Sequence, residues 1–353
     1  MTHVPGDVLE IAARVEARVV QLLDDETKRW QALDPSLAAP LDAVRALVVA
    51  GGKRLRPVFC HWGFVAGGGD PTDPRVTDAG AAFEMLQAFA LIHDDVMDGS
   101  ATRRGAPALH RHFHDHHQSN SWGGESRRFG EGVAILAGDL ALVYSDVLLP
   151  AAPDAPRELA TLWHELRIEL NIGQYLDLAG TATGGVDREG ARQIARMKSG
   201  RYTIEKPLQV GALLAGNPDL AEELSSYGDP LGEAFQLRDD VLGVWGAAER
   251  TGKPVGDDLR EGKPTLLMAI ATERARTKSH QELLGSVGRE DLDDTDVSNL
   301  QNLFVELGAL DDVEAEITKL HAQAVDALGE IELTDKVSKS LRDLADFVVA
   351  RDS

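Results

Sequence analysis

Long stretches of this chain repeat their apolar residues every three or four positions, and almost none alternates them, so helices are what its hydrophobic pattern can bury. Between residues 7 and 33, Val8, Ile11, Val15, Val19 and Leu22-Leu23 share a helical face with polar residues between them. Residues 77–97 are apolar on most sides, the pattern of a helix surrounded by others. Residues 157–178, 187–215, 220–244, 264–277 and 335–350 also fit helices. Gly67-Gly68-Gly69-Asp70-Pro71 and Gly216-Asn217-Pro218 stand where helices have to stop. The polar, glycine-rich run 119–132 is expected to be a surface loop. No fixed-period repeat or heptad occurs, and no linker-like shift in composition divides the chain. The expectation is an all-α fold of about ten or more helices in a single domain, residues 1–353.

Charge and cysteine content narrow the function. The 353 residues carry 36 Lys and Arg against 58 Asp and Glu, a net charge of −22, which repels phosphate backbones and argues against nucleic acid as a partner. A single cysteine, Cys60, excludes an internal disulfide framework and a cysteine zinc site. The best candidate for a membrane span, 133–152, is interrupted by Asp139 and Asp146, and the start of the chain lacks the basic and apolar runs of a signal peptide. No stable membrane insertion and a cytoplasmic location are therefore expected.

Six Asp-Asp pairs occur, and in so acidic a chain a pair by itself means little. Context separates two of them. Asp94-Asp95-Val96-Met97-Asp98 follows the apolar run Ala88-Phe89-Ala90-Leu91-Ile92, and Asp239-Asp240 lies between Phe235-Gln236-Leu237 and Val241-Leu242. Carboxylates in apolar helices are costly unless paired or bound to a cation. Asp94 and Asp98, four apart, project from one helix face and repel unless a cation lies between them. Hard oxygen ligands of this kind suit Mg²⁺, which bridges carboxylates to substrate phosphates. Acids simply paired with nearby arginines would explain the pattern equally well. Gly51-Gly52-Lys53-Arg54-Leu55-Arg56-Pro57, Arg103-Arg104, Lys198, Lys253 and Lys263 break the tie, because scarce cations beside buried acids point to a polyanionic substrate bridged through metal.

Taken in order, these motifs resemble the isoprenyl diphosphate synthases, the trans-polyprenyl synthetase family. The resemblance rests on the glycine-lysine-arginine segment 51–57, on His93-Asp94-Asp95-Val96-Met97-Asp98 with Arg103-Arg104-Gly105 and Pro107, on Gly138-Asp139, and on Gly173-Gln174-Tyr175-Leu176-Asp177-Leu178. Lys198-Ser199-Gly200-Arg201-Tyr202-Thr203, Phe235-Gln236-Leu237-Arg238-Asp239-Asp240, Gly252-Lys253-Pro254 and the segment from Gly256 to Lys263 complete it, so that it runs from about residue 50 to 265.

The resemblance implies the isoprenoid synthase fold, with helices around a central cavity, a homodimer, and condensation of isopentenyl diphosphate with an allylic diphosphate. It implies that Asp94, Asp98 and Asp239 hold Mg²⁺, three ions once substrate is bound, with Asp95 and Asp240 in support. Arg103, Lys198, Ser199, Gln236, Lys253 and Lys263 would bind the allylic diphosphate, and Lys53, Arg56, Gln87 and Arg104 the isopentenyl diphosphate. Arg103 and Lys198 join the three aspartates as catalytic residues. The chain departs from the family at Gln87, where many members have His, at Ser199 for Thr, at Gly243 for the third acid of the second motif, and in the longer run 119–132.

Product length follows from the same resemblance. Phe89, five residues before Asp94, lies ~7.5 Å along a helix from it at ~1.5 Å per residue, where a growing tail would pass, and the small Ala90 follows. One aromatic there and no insertion in the first motif resemble the geranylgeranyl (C20) synthases of archaeal type, with farnesyl (C15) as the alternative. Two other enzyme classes fit less of the chain. A phosphohydrolase built on His93-Asp94 with His61 leaves Asp98 and Asp239 unexplained, and a terpene cyclase has no use for the cations around Lys53. A non-catalytic synthase subunit does not accord with intact acids and cations. His110, His112, His114, His116 and His117 would scatter around a helix rather than share one metal.

Overall fold

The computed structural model describes residues 6–246, 255–289 and 291–350, and these are helical apart from one short hairpin and the connections. They gather into two compact units, one of residues 6–61 and 70–151, the other of 62–69 and 152 onward.

The first unit contains α1 (Gly6–Gln31), α2 (Ala38–Val49), the beginning of α3 (Leu55–Ala66), α4 (Pro74–Asp98), a hairpin of β1 (Thr102–Arg103) and β2 (Ala106–Pro107), α5 (Leu109–Ser119) and α6 (Ser126–Leu148). At its centre α4 packs between α1 and α6 and is buried around most of its circumference, as its apolar run requires. Asp73 caps its start by accepting the Arg75 N–H, Pro74 occupies the first turn, and Gly99 ends it in the left-handed region at φ 69°. The run 119–132, expected as a loop, is a loop only in its first half. Glu125 accepts the Arg127 and Arg128 N–H groups at 3.1 and 3.3 Å and starts α6, and Arg127 pairs with Glu131 one turn on at 2.7 Å. Gly130, which reads as a helix breaker, is instead a contact point between helices. A Cβ there would stand 2.2 Å from the His110 carbonyl of α5.

The second unit contains α7 (Pro156–Ala182), α8 (Arg188–Ile194), a π-helical stretch (Ala195–Glu205), α9 (Lys206–Leu214), α10 (Pro218–Glu223) and α11 (Ser225–Trp245). After them come α12 (Asp257–Glu261), α13 (Leu266–Arg274), α14 (Lys278–Leu284), α15 (Asp294–Glu306), α16 (Ala309–Glu330) and α17 (Asp335–Val349). Its centre is α11, whose Leu237, Val241 and Val244 join Leu267, Ile270, Phe304 and Ile317 in one core. The Arg238 fork meets both Glu314 oxygens at 2.6 Å and the Val349 carbonyl at 2.9 Å, tying α16 and the end of α17 to α11. The stretch 187–215, expected as one helix, changes to the wider π form where the Gly200 backbone meets Gly232 of α11; a Cβ at Gly200 would stand 2.7 Å from that backbone. The expected helix 220–244 is likewise two, α10 and α11. Among the described residues no helix is long and apolar enough to cross a membrane.

Candidate active site

In the first unit the last turns of α4 carry Asp94, Asp95 and Asp98 at the negative end of the helix dipole, where carboxylates are disfavoured without a cation. The hairpin supplies one. Its register pairs Arg103 with Ala106, leaving Arg104-Gly105 as a two-residue turn with φ of 53° and 75°, both positive as a type I′ turn requires. Arg103 Nε donates to Asp95 Oδ1 at 2.7 Å and Arg103 Nη2 to Asp94 Oδ2 at 3.3 Å. Arg104 Nη1 donates to the Leu47 carbonyl at 2.7 Å. Its guanidinium is pushed down to about 10 by burial, with Arg54, Arg56 and Arg103 adding to the shift against the pull of Glu84. Such crowding of guanidinium groups is the electrostatic mark of an anion site.

The three cations of segment 51–57 divide their work. Arg54 is buried and ion-paired to Glu84 and, at 2.9 Å, to Glu16; burial lowers its basicity, but these carboxylates carry it above its ordinary value. Lys53 and Arg56 are half-buried. Gln87, Phe89 and Ala90 lie on α4 before the acids, with Phe89 buried and its ring edge against His93. A cavity of about 440 Å³ opens beside Asp95 and Arg103, walled by Ala39, Ala43 and Ala46 of α2 with Ile92 and Leu109; Phe89 and Ala90 do not line it.

In the second unit Lys198 and Ser199 stand in the π-helical stretch, and Lys198 Nζ donates to Asp177 Oδ2 of α7 at 2.6 Å. On α11, Gln236 Nε2 donates to Asp240 Oδ1 at 2.7 Å. The Asp240 carboxyl is pushed up to about 8, chiefly by burial and then by Asp258; Asp239 adds to this, while Gln236 and Lys263 oppose it. Asp239, next to it, is half-buried. Lys263 lies 2.8 Å from Glu261 and 3.5 Å from Asp258. Lys253 lies outside the described residues.

The donor set suits Mg²⁺. In each unit it consists of aspartate oxygens, in the second crowded by like charge around Asp240, and no set of three His, Cys, Asp or Glu among the described residues forms a metal cage by itself. Mg²⁺ takes one or two carboxylates and completes its shell with water and substrate phosphate. The histidine tract is helical, as α5; His117 Nε2 meets the Gly123 carbonyl at 3.1 Å, and the tract holds no metal set.

Sequence reasoning gave no role to Glu16, Glu84, Asp177, Asp258 and Glu261, which hold the cations in place. Glu84 had a readable signal: a lone acid in the middle of an apolar helix needs a partner. Asp177 gave none, because its partner Lys198 lies 21 residues further along the chain.

The Polyprenyl synthetase family model matches residues 39–304, across both units. The chain belongs to the polyprenyl synthetase family. Among curated relatives it is 33% identical over 314 residues to the geranylfarnesyl diphosphate synthase of Aeropyrum pernix, covering 86% of this chain and 92% of that one. It is 31% identical over 307 residues to the (2E,6E)-farnesyl diphosphate synthase of Mycobacterium tuberculosis, covering 85% and 80%. The solved geranylgeranyl pyrophosphate synthase of Corynebacterium glutamicum, complexed with isoprenyl diphosphate and magnesium, superposes with a TM-score of 0.93 at 35% identity, covering 98% of this chain and 99% of that one. The fold is thus the all-α fold of isoprenyl synthases. Within the family pattern, Gly243 now has a physical reason. A Cβ at 243 would stand 1.9 Å from Asp258 Oδ2, so the carboxylate of α12 occupies the space that a side chain on α11 would take.

Proposed function

We propose that this polyprenyl synthetase is a Mg²⁺-dependent prenyltransferase that condenses isopentenyl diphosphate with an allylic diphosphate, and that its main product is geranylgeranyl diphosphate (C20). The observation that carries the reading is the end of α4, where paired carboxylates lie beside a cluster of guanidinium groups, Arg104 among them brought down to about 10 chiefly by burial and further by Arg54, Arg56 and Arg103. That combination suits a bound metal diphosphate better than any neutral ligand.

Asp94, Asp98 and Asp239 would hold the metal, with Asp95 fixed by Arg103 and Asp240 by Gln236 in support. Bound Mg²⁺ would neutralise the charge that gathers on the departing diphosphate. Arg103, Lys198, Ser199, Gln236, Lys253 and Lys263 bind the allylic diphosphate in this reading, and Lys53, Arg56, Gln87 and Arg104 the isopentenyl diphosphate. Asp177, Glu261 and Asp258 hold Lys198 and Lys263 extended until substrate phosphate competes for them. Apolar side chains around the tail keep water from the allylic cation. The named relatives span C15, C20 and C25 products, and Phe89 is the residue on which the C20 assignment stands.

Both units serve one catalytic domain in this reading, which the family model's span from 39 to 304 supports. The enzyme is a homodimer. α6 exposes Leu136, Leu140, Val143 and Val147 in steps of four and three, an uncovered apolar stripe that a second copy would cover. A cytoplasmic location accords with the single free thiol, Cys60, buried in α3.

The deciding experiment incubates the purified chain with Mg²⁺, isopentenyl diphosphate and each allylic diphosphate in turn, and sizes the dephosphorylated products. C20 should dominate, and EDTA should stop the reaction. Phosphate release without carbon–carbon bond formation would overturn the reaction class; a dominant C15 or C25 product would overturn the length alone.

A further inference from the structure

The first acid motif begins with His93, which the proposed chemistry does not use, and Gly138-Asp139 on α6 is likewise unassigned. The structure brings these residues together. His93 Nε2 lies 3.0 Å from the Ile135 carbonyl and 3.7 Å from Asp139 Oδ1, both on α6. Both neighbours only accept hydrogen bonds, so Nε2 carries the proton and donates. The ring occupies a notch left by Gly138, where a Cβ would meet Cδ2 and Nε2 at 2.3 Å. Its other side meets Phe89 edge-on, with ring centroids 4.7 Å apart at 63°.

We infer that His93 is a specificity-determining positioning residue: seated in the Gly138 notch and bonded to the Ile135 carbonyl, it buttresses Phe89 and so sets the length of the product. This deepens the C20 reading and rests on Phe89 being the floor of the tail site. A phenyl ring backed only by other flexible side chains can turn aside before a growing chain. A ring bonded to the backbone of a packed helix cannot do so without breaking that bond. An edge-to-face aromatic pair is favourable beyond its area burial, which biases the rotamer that Phe89 keeps. A glycine at 138 is then required by a side chain of a different helix rather than by its own backbone.

The test compares product distributions of the full-length wild type with His93→Ala, Gly138→Ala, Phe89→Ala and the pairwise double variants, each checked for folding by circular dichroism. His93→Ala removes the buttress. Gly138→Ala meets only the tip of a partly exposed side chain, 20% exposed, which can leave the notch at the cost of its bond to the Ile135 carbonyl, so that variant is expected to fold. Each should raise severalfold the share of products at least one C5 unit longer than the main wild-type product. Gly138→Ala should add nothing in a His93→Ala background, and His93→Ala nothing in a Phe89→Ala background. If Phe89→Ala lengthens products while His93→Ala and Gly138→Ala leave them unchanged, the buttress is refuted and the floor stands. If Phe89→Ala itself changes nothing, the floor falls and the buttress with it.

Discussion

Asp94 and Asp98 sit where a helix end, a like-charged neighbour and partial burial all disfavour a carboxylate, and only a strong cation makes such placement favourable. If that cation is a metal on the leaving diphosphate, Asp94→Ala or Asp239→Ala should lower turnover on the order of 10²-fold or more, as removal of one transition-state contact does elsewhere. Steady-state rates at saturating Mg²⁺ would measure this, and near-normal turnover in either variant would refute the ligand assignment. Gly243 gives a second expectation at this scale. An aspartate there would complete the family's second motif on paper, yet its Cβ needs the space of the Asp258 carboxylate, which stands beside Asp240 and Lys263. Gly243→Asp is therefore expected to reduce turnover between about ten- and a hundredfold by shifting groups at the site. A variant as active as the wild type would show that Asp258 can yield at no cost.

The elements are kept in place by the same acids that make the composition so extreme. Asp293-Asp294, which resembles the functional pairs in sequence, is a helix start. Asp293 accepts the Thr295 and Asp296 N–H groups at 2.8 and 2.9 Å, and Asp296 returns a bond to the Asp293 N–H. Asp312, in the first turn of α16, pairs with Arg274 at 2.6 Å, and Asp24 with Arg45 at 2.7 Å. Asp293→Ala should cost about 1 kcal/mol of stability through the lost cap and leave turnover unchanged. Urea denaturation together with an assay would check both halves; a loss of activity in the folded variant would mean that α15 reaches the chemistry. The hairpin of Arg103 and the π-helical stretch of Lys198 belong to this scale too. Each is a local irregularity, two residues at positive φ or an eleven-residue widened stretch, that places a cation within reach of a carboxylate.

At the scale of the whole molecule, the stripe on α6 departs from a surface made for water, with Leu136 62% and Val147 64% exposed. A stable dimer buries about 800 Å² on each partner, centred on apolar side chains. Charges at Leu136 and Val143 together should convert dimer to monomer in analytical ultracentrifugation, and a wild type that sediments as a monomer would remove the dimer from the reading. The helical class, the first and second acid motifs and the order of the cations were legible in the sequence, because periodicity, burial of charge and motif spacing are all properties of neighbouring residues. Tertiary structure alone decided which residues hold these groups: Glu84 and Glu16 on Arg54, Asp177 on Lys198, Asp258 in the space beside Gly243, and His93 in the notch of Gly138. Each of these contacts joins residues between 15 and 45 positions apart in the chain. Where two helices touch depends on how their faces pack, and no local pattern of residues encodes that.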